Sequence, residues 1–479
     1  MIFKILRNIL SLLTGHVVSK LFALGCVIFL ARRLGVGGFG TYETVMAYLT
    51  LFAAFADSGM GTVTIRDVAQ DYARSDSYFA HVLTLRLLLT VGAYLLLLLL
   101  GGIWKTGEFS LWFIAGCGLF LFPEAVRKLG VAMLSAYERM DLVATLDVLS
   151  IVVRYLPFFL VILLGKSVLA AFPILVVCWG GIAGIWLLTT KKYCLTRWVS
   201  PIHPQKLWHI LRESFPFGVL FVLSVIYFKA DTIMLAKMKG QIDVGYYNGA
   251  YKFVEASMFI PISIVNVLLP VMSRSFVTDK ASYHNIYIHS TRILAMSILP
   301  VVMFVSFFSK NIILLIFKDA YLPSASALSL IIWTLFFIFI NAPVGNIIAS
   351  SNTMHAFLPY AIGNTLLKIL LNLLFIPKYG FAGASVTTVL AECTGFITQL
   401  YFANRIIGNA SRILWIIGKL FVAGLVTSAM LSVTKPYLSL PLNAVILVGT
   451  YTVSLFVLKV IEPDDKQLCL EILKKIRSW

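Results

Sequence analysis

Residues 79–101 read FAHVLTLRLLLTVGAYLLLLLLG. One histidine and one arginine interrupt an otherwise apolar run. A helix needs about 20 such residues to cross the hydrocarbon of a bilayer, so this stretch is long enough. A barrel strand would instead alternate polar and apolar positions over about ten residues. Working outward, similar runs recur at 9–30, 42–63, 110–134, 143–164, 168–189, 213–236, 246–272, 290–317, 324–350, 356–376, 379–402, 412–433 and 441–461. The pattern predicts an all-α integral membrane protein of about fourteen spans, since in lipid every backbone group must be satisfied within its own segment.

Composition agrees. The 479-residue chain is 60% hydrophobic and only 13% charged, with a mean hydropathy of +0.92. A soluble domain carries nearer 25% charged residues. The net charge of +18 is spread along the membrane edges rather than gathered in a patch. It therefore marks orientation, not nucleic-acid binding. Lys and Arg in the connectors are about twice as numerous on the side of both termini, which the positive-inside rule makes cytoplasmic. Lys20 interrupts the first apolar run and no Ala-x-Ala site follows, so the first span reads as a retained helix rather than a signal peptide.

The chemistry-bearing motifs are few. Six cysteines are scattered, mostly through apolar spans, and read as small buried hydrophobes. Seven histidines lack metal-ligand spacing, and no phosphate loop or nucleophile elbow is present. No cofactor is expected. The longest connector, near residues 190–212, splits the chain into an N-lobe (1–190, spans 1–6), a cytoplasmic linker (191–208) and a C-lobe (209–404, spans 7–12). Spans 13–14 and a cytoplasmic tail follow (405–479). Gly40-Thr41-Tyr42 and Gly245-Tyr246-Tyr247 open the second and eighth spans, a weak repeat consistent with duplicated halves.

Several stretches resemble a known family. They are Ala31-Arg32-Arg33-Leu34-Gly35 through Phe39-Gly40-Thr41-Tyr42, Lys229-Ala230-Asp231 with Val244-Gly245-Tyr246-Tyr247-Asn248, Leu269-Pro270-Val271-Met272-Ser273-Arg274, and Asn372 to Ala384 around Pro377-Lys378-Tyr379-Gly380. In order and spacing they are similar to Wzx-type polysaccharide flippases of the multidrug/oligosaccharidyl-lipid/polysaccharide superfamily. The first loop departs from the family pattern, with Val36 and Gly37 where Pro-Glu is usual. The resemblance implies two pseudo-symmetric six-helix bundles of MATE-like form plus two C-terminal helices in the cell (inner) membrane. It also implies transfer of polyprenyl-pyrophosphate-linked oligosaccharide, an O-antigen, capsule or exopolysaccharide unit, from the cytoplasmic to the outer leaflet. The partners implied are that substrate, membrane lipids, a polysaccharide polymerase and a chain-length regulator.

Ionisable residues inside spans are costly, so each needs a partner or a wet cavity. Lys20, Arg86, Arg154, Lys252 and Lys368, with Asn248, Asn364 and Asn372, are expected to form a cationic cavity for a pyrophosphate and sugars. Tyr360, Asn364, Lys368 and Asn372 share one helical stripe, as do Asp147, Ser150 and Arg154. The competing reading of each group is helix–helix pairing that only stabilises the bundle. Asp231, Glu255, Asp57, Glu124 and Glu392 are candidate carriers of a coupling proton or sodium ion, Asp231 first, because burial favours a neutral carboxyl. Two other functions remain open. A drug-cation antiporter would favour acidic cavities, and a polysaccharide polymerase or ligase would need a sizeable outer loop.

Overall fold

The computed structural model describes residues 2–103, 110–197, 201–351, 353–408 and 410–461, with side chains from Phe22 onward except at 102, 103, 266 and 410. The described residues hold helices and no strand. In chain order they are α1 (Ile2–Asp57), α2 (Met60–Gln70), α3 (Ser75–Ile103), α4 (Leu111–Gly118), α5 (Leu121–Ala136), α6 (Met140–Leu163), α7 (Ala171–Cys194), α8 (Pro204–Met238), α9 (Gln241–Ser257), α10 (Phe259–Thr278), α11 (Lys280–Phe307), α12 (Ser309–Phe317), α13 (Ser324–Ile331), α14 (Thr334–Ser350), α15 (Met354–Ile407), α16 (Ala410–Thr434) and α17 (Leu440–Val457).

Among the described residues, 11 helical stretches are long and apolar enough to cross a membrane. Two of them each contain a pair of the spans read from the sequence. α1 bends at Gly35, with φ 68° and ψ 178°, and α15 bends at Gly380, with φ 56° and ψ −135°. Both bends need a backbone that only glycine adopts without strain. A further span is assembled from two short helices, α4 and α5. The fourteen apolar runs are thereby accounted for.

By internal packing the described residues form two units. The first comprises Met1–Lys252, Ile316–Pro323 and Leu358–Thr387. The second comprises Phe253–Leu315, Ser324–Phe357 and Thr388–Trp479. In the first, α1 packs on α3, α6 and α8, while α5 packs on α2 and α7. Its core gathers Met60, Val82, Leu129, Met133 and Trp186, and the Trp186 indole donates to Ser150 Oγ at 3.2 Å. In the second unit α11 packs against α13, α14, α16 and α17. There Tyr283 and Ser350 hydroxyls meet at 2.7 Å, Asn346 Nδ2 donates to the Val265 carbonyl at 3.0 Å, and Tyr451 donates to the Met296 carbonyl at 3.1 Å.

The glycines of the sequence repeat touch in the first unit. A Cβ on Gly40 would collide with the Gln241 carbonyl and come within 3.0 Å of the Gly245 nitrogen. A Cβ on Gly245 would collide with the Val36 carbonyl. The contact is reciprocal, since Val36 and Gly40 are each 205 residues before Gln241 and Gly245. Side bonds secure it: Thr44 Oγ1 donates to Gln241 Oε1 at 2.7 Å, and Tyr321 OH donates to the Ala31 and Gly35 carbonyls at 3.1 and 3.2 Å.

Candidate functional site

On α5, Glu124, Arg127 and Lys128 stand at i, i+3 and i+4 and so share a face. On α6, Asp147, Ser150 and Arg154, at i, i+3 and i+7, also share one face. These two faces, with Thr50 and Ala53 of α1, Trp179 of α7, and Phe221 and Lys229 of α8, enclose a cavity of about 590 Å³. Its lining carries four basic and two acidic side chains, an excess of two positive charges. Cations are costly inside hydrocarbon and persist where a partner or a water-filled space receives them.

The bonds within the cavity are unequal. Arg127 grips Glu124 with two bonds, Nε to Oε2 and Nη2 to Oε1, both 2.8 Å. Such paired, charge-assisted bonds are among the strongest available to a side chain. Its third contact, Nη1 to Asp147 Oδ1, is longer at 3.3 Å. Glu124 is further held by the Trp179 indole N–H at 3.0 Å. Both guanidinium groups lean on the Trp179 ring, Arg127 at 5.8 Å and Arg154 at 5.7 Å from its centroid. Arg154 differs from Arg127: its Nε is buried and reaches no hydrogen-bond acceptor among the described residues.

Beside the cavity, Asp57 bridges two cations. Arg86 Nη2 lies 2.6 Å from Asp57 Oδ1, and Lys128 Nζ lies 3.4 Å from Oδ2. Arg86 is 1% exposed and also donates to the Ala125 carbonyl at 3.3 Å. It is enclosed by protein.

A second polar cluster in the same unit joins α8, α9 and α15. Lys368 Nζ is 2.8 Å from Asp231 Oδ2 and donates to the Tyr227 carbonyl at 2.7 Å. Asp231 also accepts from Tyr247 OH at 2.8 Å and from Asn372 Nδ2 at 2.7 Å. Thr387 donates to Asn372 Oδ1, and Asn248 exchanges bonds with Thr232 at 3.2–3.3 Å. These side chains are almost wholly buried.

The residues expected from the sequence therefore fall in several places. Arg154 and Glu124 line the cavity, with Arg86 and Asp57 against it. Lys368, Asp231, Asn372 and Asn248 form the enclosed cluster. Lys252 pairs with Glu43 at 3.0 Å. Asn364 is partly buried on α15; Glu255 and Glu392 belong to the second unit, partly buried and buried respectively. The Lys20 side chain lies outside the described residues. Arg127, Lys128 and Trp179 are the additions. The i, i+3 pairing of Glu124 with Arg127 inside an apolar run was the signal for the first two. Nothing local in the sequence singles out Trp179.

Comparison with known proteins places this geometry. A family model described as "Polysaccharide biosynthesis protein" matches residues 5–276. An uncharacterized membrane protein of Methanocaldococcus jannaschii is 25% identical over 281 residues, which is 56% of this chain and 55% of that protein. The chain thus spans about half the length of the curated relative it matches. Among solved structures, the lipid II flippase MurJ in an inward closed conformation superposes with TM-score 0.77 at 14% identity, over 93% of this chain and 98% of that one. An inward-facing MATE multidrug transporter gives 0.64 at 17%, over 81% and 95%. A MOP-superfamily transporter from Pyrococcus furiosus, described as having a binding pocket of reversed polarity, gives 0.56 at 15%, over 83% and 94%. These likenesses concern the fold, and the solved proteins that share it are described as transporters and flippases. With more than half of its length matched by the family model, the chain belongs to the polysaccharide biosynthesis protein family, and its multi-pass helical fold is shared with the solved membrane proteins named above.

Proposed function

We propose that the protein carries a polyprenyl-pyrophosphate-linked oligosaccharide from the cytoplasmic to the outer leaflet of the cell membrane, by alternating access of two six-helix lobes (1–190 and 209–404). The observation that carries this reading is Arg154, whose buried Nε has no acceptor while its guanidinium faces a cavity with an excess of positive charge. A diphosphate entering such a space exchanges hydration for charge-assisted bonds, and a guanidinium can supply two at once. Trp179, Ser150 and Thr50 add aromatic and hydroxyl surface suited to the first sugar. A drug cation would meet net repulsion there.

Both termini are cytoplasmic in this reading, and the polymerase that consumes the exported units acts at the opposite face. Transport is coupled to a proton or sodium gradient. The Asp231 carboxylate is already neutralised by Lys368, which favours carboxylates nearer the cavity as carriers. The test is export of lipid-linked sugar by cells or proteoliposomes. Arg154→Gln should lower it more than tenfold with unchanged membrane level and melting, and Arg154→Lys should keep part of it. Wild-type export by Arg154→Gln would sink the reading.

A further inference from the structure

A second cavity of the first unit differs in chemistry from the cationic one. It has a volume of about 240 Å³ and lies among α1, α3, α4 and α8. Its walls include Phe52, Leu100, Ile114, Ile226 and Ile233. Among the described residues no lining side chain is charged, and the Tyr48 hydroxyl and the Cys117 thiol are the only side-chain heteroatoms of the lining. Water settles in a cavity only where about two to four polar partners receive it, and these walls do not offer them. Left empty, the walls would forfeit the dispersion contacts that close packing supplies elsewhere in a protein. Apolar cavities of about 150 Å³, smaller than this one, take up hydrocarbon guests such as benzene.

The mouth of this cavity faces lipid. Phe55 of α1 and Leu96 of α3 line it and are also exposed. Leu96 adjoins Leu95 and stands one turn before Leu99, and these two form with Leu88 an exposed stripe on α3 at i, i+7 and i+11. The helix is long and apolar enough to cross a membrane, so its exposed leucines meet acyl chains. The cavity is thus continuous with a lipid-facing surface. We propose that one acyl chain of a bilayer phospholipid enters past Phe55 and Leu96 and occupies the cavity as a bound chain. α8 packs on both α1 and α3, and the acyl chain fills the space those contacts leave. Because the walls present carbon, the site selects the chain and not the head group. This bound lipid is distinct from the exported substrate, whose diphosphate calls for the cationic cavity.

Native mass spectrometry of the purified full-length protein tests this. The protein is delipidated in detergent, then offered phosphatidylglycerol or phosphatidylethanolamine carrying the same chains. Wild type should retain one phospholipid through washes that remove the rest, and to the same extent with either head group. Ile226→Trp and Ile233→Trp each set an indole in the cavity and should lose the retained lipid. Ile114→Trp, on α4, gives the same comparison should the α8 variants fail to fold. Val453→Trp, at an exposed position on α17, is the control and should retain the lipid as wild type does. Equal retention by wild type and the filled variants overturns the proposal, as does a wild type that keeps no phospholipid. Retention of one head group alone would place the binding at polar groups outside the cavity and overturn it too. A polyprenyl lipid found in place of a phospholipid on the protein as first purified would overturn the assignment of the chain.

Discussion

Lys368 Nζ lies 2.8 Å from Asp231 Oδ2 with both side chains almost completely buried. Removing one member of such a pair leaves an uncompensated charge and costs about 3–5 kcal/mol, whereas replacing both by groups of similar shape is often neutral. Lys368→Met should therefore melt far below wild type and accumulate poorly. The double variant Asp231→Asn, Lys368→Met should recover most of the melting temperature. If the single variant melts like wild type, the pair is not a structural tie. If the double variant is stable but exports nothing, the cluster has a role in transport besides holding α8 to α15.

Gly40 and Gly245 meet backbone to backbone, and a methyl group has no room at either. Overpacking of this kind costs about 1–3 kcal/mol. Gly40→Ala and Gly245→Ala should each lower the melting temperature, and the double variant should cost less than the sum because both relieve the same crossing. Additive losses in a thermal-shift series would show that the two glycines act separately.

Trp179 holds Glu124 by a 3.0 Å bond and gives both guanidinium groups a ring to lean on. Trp179→Phe keeps a ring but loses the N–H. It should weaken pyrophosphate binding by about five- to tenfold, in keeping with about 1 kcal/mol for such a bond. Trp179→Ala should weaken it further. Equal binding by all three proteins would remove the indole from the site.

Asp67, on the short helix α2 between two spans, shows how one end of the first unit responds to acid. Burial works to raise its pKa, but bonds from Arg66, at 2.6 Å, and from Tyr78 outweigh it and hold the carboxyl below its usual value. A lowered folded-state pKa gives stability that is present above the unfolded value, near 3.9, and lost as pH falls through the folded value. Melting of wild type and Asp67→Asn should therefore differ by a constant amount from pH 5 to 8 and converge below about pH 4. A gap that closes already between pH 7 and 6 would refute the assignment.

The spans were legible because apolar runs of crossing length leave little choice of structure. The bends at Gly35 and Gly380 were partly legible, as glycines between runs, but nothing in the sequence says that helix continues on both sides. The break of the fourth span between Gly118 and Leu121 has no comparable mark. In the site, helical stripes were readable because i, i+3 and i+4 spacing is local. The Asn372–Lys368 stripe and the Asp147–Ser150–Arg154 face each hold together in the structure. Partners across helices were not readable. Lys252 meets Glu43, far from it in sequence, and Arg86 has no acid near it in sequence yet meets Asp57. Arg127 and Lys128 were missed for a related reason. Two adjacent basic residues near the end of an apolar run look like a membrane edge, and only the folding of α6 against α5 makes them a cavity wall.

The Arg86–Asp57 pair also bears on how the chain enters the membrane during synthesis. An arginine this deep costs about 2.5–3.5 kcal/mol to insert on its own, a substantial load for the third span. Its carboxylate partner lies at the end of α1 and has already left the ribosome when Arg86 emerges. The second and third spans thus reach the insertion machinery as a hairpin whose opposite charges can meet before either faces lipid. A nascent chain carrying Asp57→Ala should insert its third span less completely, as glycosylation-site mapping would report. The protein's later assembly would then begin from a defect made in its first hundred residues.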